Sequence, residues 1–450
     1  MIGINYKIAL FSYMIMVAFF SVLREQTLVY FEMVVIFFAT VYLIITPKWK
    51  SFFPISILVI SFLGNFVAPM DNSARFDSDY PSLHTLSMFS GIKCIDLVVL
   101  FMGGGAFFKV FNGDSHFPIK KSVLIILLFM VFSSLFILTF IGDFVYDIVY
   151  MLFILRCLML SLVFYIYLCD LSKYELLFLT KLAISTCISL MFFAHIIHAS
   201  NPMQRELFGF NVTVAFAGDE YGSVGLLLAA LLLIGHNEKR FCYAIVAICF
   251  CLAIFAGRKS AVPYFFFVVL MVFFYDNRAK FGFYKKFMLL SEHIYISIAL
   301  LFISGLDYAP LNIAFHESIG ILKPTISSLE YFFQNNALYY LFGIGPFTKY
   351  PLIGLDPSFD HPFAFGADAG ELYKIKLWFF PFERSLLNFG GLFPCLFLLR
   401  LFFFEKHTSA SFYISLYAIY LLFLNPVSIV MCISLAIAFA AKRIKRLNFC

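Results

Sequence analysis

The sequence predicts an all-α fold, a polytopic helical membrane protein of about twelve to fourteen transmembrane helices with one large extracytoplasmic loop. Three observations carry that expectation. The chain of 450 residues is 62% hydrophobic and only 13% charged, about half the charged share of a soluble domain. Its mean hydropathy is +0.94. Its apolar residues fall in blocks close to the length of a bilayer-crossing helix, about 20 residues. One stretch, 307–384, breaks the pattern with Pro, Gly, Tyr and charges. Three regions follow: an N-terminal transmembrane bundle (1–306), a large extracytoplasmic loop (307–384) and C-terminal transmembrane helices (385–450).

Taken in order, the expected spans are 8–23, 28–46, 52–69, 95–111, 122–141, 144–169, 176–199, 222–235, 241–256, 260–275, 294–306, 385–404, 411–424 and 427–441. The span 294–306 is short. Pro426 divides the final pair, as a tight turn between two helices or a kink in one. The first block follows Lys7 and ends at Arg24 without a small-residue cleavage site, so it is expected to stay as an anchor. With the N-terminus cytoplasmic and the spans alternating, the cytoplasmic segments collect the larger share of the 32 Lys and Arg residues, as the positive-inside rule requires. Segments 70–94, 200–221, 257–259 and 307–384 then lie outside. Lys442-Arg-Ile-Lys-Arg446 lies inside and is most simply a lipid-headgroup anchor.

Composition also excludes some functions. No long basic run with interleaved aromatics is present, so nucleic acid is not an expected partner. The 63 phenylalanines are lipid-facing and inter-helix filler. The ten cysteines lie in or beside apolar segments without metal-ligand spacing, so they are structural thiols and suggest no disulfide framework. No internal repeat is visible, which weighs against inverted-repeat transporters.

The outer segments hold the residues that can do chemistry. Asp77-Ser-Asp79 is a DxD that could hold a divalent cation against a phosphate, or an ordinary solvated acidic loop. His195 and His198 share a helix face at the outer end of 176–199, without an evident third metal ligand. Arg205 is the one basic residue of the 200–221 loop. It is either an interface anchor or a phosphate clamp, beside glycines that admit a close substrate. Two acids, Asp219 and Glu220, follow in the same loop. Phe255-Ala-Gly-Arg258-Lys259-Ser260 puts two cations at the outer surface against the orientation bias. A guanidinium fork and an adjacent helix start suit a pyrophosphate. The large loop carries more acids than bases, including Lys323, His361, Glu383 and Arg384. Its Gly343-Ile-Gly345-Pro346 reads as a helix stop.

In this order the pieces resemble the O-antigen polymerase and O-antigen ligase superfamily, bacterial inner-membrane glycosyltransferases. The resemblance rests on Arg205 with its glycine-bearing loop, the Gly257-Arg258-Lys259-Ser260 turn, Gly343-Ile-Gly345, and Glu383-Arg384 ahead of Ser385-Leu-Leu-Asn-Phe-Gly-Gly391. It spans roughly residues 200–404. It implies an inverting, metal-independent transfer without a cofactor, joining undecaprenyl-pyrophosphate-linked oligosaccharides on the periplasmic face. Arg205, Arg258, Lys259, Arg384 and Lys323 would bind the pyrophosphate. Glu383, His361, Asp219 or Glu220 would be the base. Membrane lipid is the medium, and a chain-length regulator protein is a candidate partner. Ligases usually show a His where Glu383 and Arg384 stand, which favours polymerase over ligase. The alternatives are a metal-dependent glycosyltransferase with a polyprenyl-phosphate donor and a lipid-linked oligosaccharide flippase.

Overall fold

A computed structural model of the chain describes residues 4–23, 26–46, 50–64, 83, 86–89, 92–112, 148–197, 203–207, 210–214, 225, 228, 239–255, 261–277, 334, 412–415, 417–418 and 429–447. Helix dominates. The elements are α1 (Ile4–Leu23), α2 (Gln26–Ile45), α3 (Phe52–Gly64), β1 (Ser87–Phe89), β2 (Ile92–Lys93), α4 (Cys94–Phe111), α5 (Ile148–Leu168), α6 (Lys173–Ile197), β3 (Met203–Leu207), β4 (Phe210–Val214), α7 (Lys239–Phe255), α8 (Ala261–Asp276) and α9 (Ile429–Leu447). Four stretches, Asn5–Leu23, Thr27–Ile45, Cys94–Phe111 and Lys173–Ala194, are long and apolar enough to cross a membrane. The expected spans 122–141, 294–306 and 385–404, Pro426 and the large loop apart from Gln334 lie outside the described residues.

The bundle is built around α3. This helix packs against α1, α2, α6 and α9. Ile55, Leu58, Val59, Ile60, Phe62 and Leu63 are all fully buried. A helix apolar on every side belongs in an interior, and Phe52-Phe-Pro-Ile-Ser-Ile-Leu-Val-Ile is such a sequence. By contrast α1 buries Leu10, Met14, Val17 and Ala18 while Ile8, Phe11, Ile15 and Phe19 face outward. Outward Phe and Ile on so apolar a helix suit hydrocarbon contact. Local signals fix the ends. Ser172 and Glu175 cap α6 reciprocally, with Ser172 N–H donating to Glu175 Oε2 at 2.8 Å and Glu175 N–H to Ser172 Oγ at 3.4 Å, the capping-box pattern.

Side-chain contacts give each helix its direction. Tyr6 meets Phe53, and further along Tyr13 Oη and Ser61 Oγ are 2.6 Å apart, so α1 and α3 are parallel. Lys7 Nζ lies over the Phe178 ring and Phe19 packs on Phe193, so α6 runs with them. Phe37 stacks on Phe101, and Gly105 lies against Thr40 and Ile44, so α2 and α4 are parallel. Tyr165 meets Phe439 and Arg443 donates to the Cys169 sulfur, so α5 and α9 are parallel. Phe250 stacks on Phe265 across the antiparallel α7–α8 pair. Tyr413 Oη donates to Phe274 O at 2.9 Å, and Lys442 Nζ donates to Ser415 Oγ. One end of the bundle therefore gathers Lys7, Lys50, Lys109, Lys173, Lys442 and Arg443; it is termed the basic end. The opposite end carries β1–β2, β3–β4 and the starts of α2, α4 and α5; it is termed the hairpin end. These directions agree with the alternation of spans expected from the sequence.

The two short antiparallel hairpins are additions to the all-α expectation. Segment 200–221 was expected as a loop, and residues 203–207 and 210–214 pair as strands instead. Their alternating polar and apolar residues suit a ribbon with unlike faces.

Candidate functional site

Of the residues expected to form a site, the structure describes Arg205. It stands on β3 with Val212 as its cross-strand partner. Glu383, His361, Asp219, Glu220, Arg258, Lys259, Arg384 and Lys323 lie outside the described residues, as do Asp77, Asp79 and His198. His195 falls in the last turn of α6. What the structure does bring together is the framework around two of the expected cationic segments. β4 packs against α7, and α7 packs against α6 and α8. α7 ends at Phe255 and α8 begins at Ala261. The ribbon bearing Arg205 is thus a neighbour of the helix that leads into Gly257-Arg258-Lys259.

Close packing in this corner comes from small side chains. A Cβ on Gly225 would stand 3.1 Å from Cys249 Sγ and 3.8 Å from Cys187 Cβ. Cys187 and Cys249 are both buried, between α6 and α7. Thiols there act as compact apolar filler. No group of three or more His, Cys, Asp or Glu is arranged to hold a metal among the described residues.

Several charged residues lie inside the bundle. Glu32, Arg156 and Lys181 are ionisable residues within α2, α5 and α6. Glu32 is buried, 8% exposed, on α2. Arg156 is paired: its Nε donates to Asp96 Oδ1 at 2.8 Å, and its Nη2 donates to the same oxygen. Asp96 Oδ2 accepts the Lys93 backbone N–H at 3.0 Å, which satisfies one open donor at the start of α4. Lys109, in the last turn of α4, is 2% exposed. Its Nζ lies 3.1 Å from Asp170 Oδ2 and 5.9 Å from the centroid of the Tyr167 ring.

Sequence reasoning missed these two pairs. A signal was present. Asp96 and Lys109 lie nearly as far apart along α4 as Arg156 and Asp170 do along α5 and the turn after it, with the charges in opposite order. Two parallel helices with that pattern pair at both ends. The chemistry of the pairs is structural. Each tethers α4 to α5, and each places its α4 residue where the helix dipole favours it, an acid at the start and a base at the end.

No protein-family model, no curated protein and no solved structure matches this chain.

Proposed function

We propose that the chain is a surface-polysaccharide polymerase: a multi-pass protein of the bacterial inner membrane that joins undecaprenyl-pyrophosphate-linked oligosaccharide repeat units on the periplasmic face. The basic end is then cytoplasmic and the hairpin end periplasmic. The observation that carries the reading is the ordered motif set after residue 200. The packing of β4 on α7 supports it, because Arg205 and the Gly257-Arg258-Lys259 turn belong to neighbouring elements.

The reaction is inverting attack of an acceptor hydroxyl on the anomeric carbon of the donor, with the lipid pyrophosphate leaving. Arg205, Arg258, Lys259, Arg384 and Lys323 neutralise the charge that grows on the leaving group, and fixed cations at such a position are worth most in a low-dielectric site. Glu383, His361, Asp219 or Glu220 takes the hydroxyl proton. Both substrates are held by lipid tails in one plane, so their encounter is close to intramolecular. The scheme needs neither a metal nor a cofactor, and a chain-length regulator is a fitting partner.

Replacing Arg205 or Arg258 by Ala should abolish long polymer in cells while the protein level stays unchanged. Normal chain-length ladders on a gel from both variants would reject the clamp. A polymerase mutant still displays single repeat units outside, whereas a flippase mutant displays none. Loss of activity on chelation would select the metal-dependent alternative with Asp77 and Asp79.

A further inference from the structure

The β3–β4 ribbon has two unlike faces. Residues alternate across a strand, and directly paired residues share a face. The register pairs Met203 with Val214, Arg205 with Val212 and Leu207 with Phe210. One face therefore carries apolar residues around a single guanidinium. The other pairs Gln204 with Thr213 and Glu206 with Asn211, so it is polar throughout and holds the ribbon's one acid.

A two-stranded ribbon is at best marginal in water on its own, and beyond the contact of β4 with α7 its apolar face calls for a cover. β3 starts at Met203, soon after α6 ends at Ile197. The linking residues reach at most about 20 Å even when extended. The last turns of α6 hold Phe192 and Ile196 outward, an apolar band continuous with the lipid-facing side of a spanning helix. A bilayer surface is thus within reach of the ribbon, and its chemistry matches: hydrocarbon for the apolar residues and phosphate for Arg205. Glu206, which anionic phosphates would repel, is on the opposite face.

We propose that the β3–β4 ribbon is an interfacial element seated on the anionic phospholipid surface at the hairpin end, through the face of Met203, Arg205, Leu207, Phe210, Val212 and Val214. It stands whether or not Arg205 contacts a substrate, since the ligand here is the bilayer itself.

The chain has two tryptophans, Trp49 and Trp378, which makes single-tryptophan reporters practical. In a full-length Trp49→Phe/Trp378→Phe background, Leu207→Trp and Val212→Trp report on one face, and Gln204→Trp and Thr213→Trp on the other. Each is reconstituted in vesicles of brominated phosphatidylglycerol or brominated phosphatidylcholine, after confirmation that it elutes as the parent does. Bromolipid should quench the first pair several-fold more than the second, and aqueous acrylamide should do the reverse. Phosphatidylglycerol should quench more than phosphatidylcholine, and Arg205→Gln should erase that difference. Equal quenching of both faces overturns the proposal. So does an apolar face reached by neither agent, which is the result if α7 or a second copy covers it. Loss of polymer in Arg205→Ala without facial asymmetry would leave the proposed function standing and remove this inference alone.

Discussion

The two ends of the α4–α5 pair solve one problem in two ways. At the basic end Lys109 and Asp170 close on each other almost wholly out of solvent, their side chains 3% and 4% exposed. At the hairpin end Arg156 and Asp96 remain 16% and 32% exposed. The dry pair gains strong attraction but has given up its hydration, so its partners depend on each other. The wetter pair shares its charge with solvent, and the backbone N–H of Lys93 satisfies part of the aspartate. The difference teaches that equal partners on the same two helices need not matter equally. Burial, more than contact distance, sets what is lost when one is removed.

The largest effect is expected at the dry pair. Lys109→Met or Asp170→Leu alone strands a buried charge and should cost about 3–5 kcal/mol, whereas the double variant should recover most of it. Thermal unfolding of the detergent-solubilised protein, followed by fluorescence-detected gel filtration, reads both. A double variant as unstable as the singles would show that the pair is net stabilising. Between the two pairs lies Gly105, where an added Cβ would meet Ile44 Cδ1 and Tyr167 Oη at 2.9 Å. The Tyr167 hydroxyl also donates to Met102 O at 2.9 Å, so it has little room to yield. Gly105→Leu should therefore destabilise by about 1–3 kcal/mol through overpacking. Gly104, whose Cβ would meet nothing within 4 Å, should accept Ala with little change in the same assay. The smaller of the two ionic effects is expected at the wetter pair. Asp96→Asn keeps an acceptor for Lys93 and should cost about 1 kcal/mol, diminishing as salt is raised. A loss as large as that of Asp170→Leu would erase the distinction drawn between the two ends.

Much of the bundle was legible in the sequence because its signals are local. Apolar run length marked α1, α2, α4 and α6, and the distribution of Lys and Arg set the alternation that the helix directions follow. The interior position of α3 was also written in the chain, since Phe52 to Leu63 offers no polar stripe. The ion pairs were harder to see, because pairing Lys109 with Asp170 requires knowing that α4 and α5 are parallel neighbours. The β3–β4 ribbon had a visible cue: two alternating runs separated only by Phe208-Gly209, the two-residue spacing of a hairpin. Its place between two apolar helices made it look like a connector. Of the candidate site, Arg205 was legible as the one basic residue of its outer segment. The ribbon that carries it was not, because charge counting says nothing about backbone pairing.

The enclosure of α3 constrains the order in which this protein can be completed. Two of the helices that wall it in, α6 and α9, are synthesised long after it leaves the ribosome, and α9 follows every other described helix. Until α9 arrives, the flank of α3 and the inward side of α5 must rest against lipid or against temporary company. A chain halted before Ile429 would therefore be an open shell, vulnerable to quality-control proteolysis.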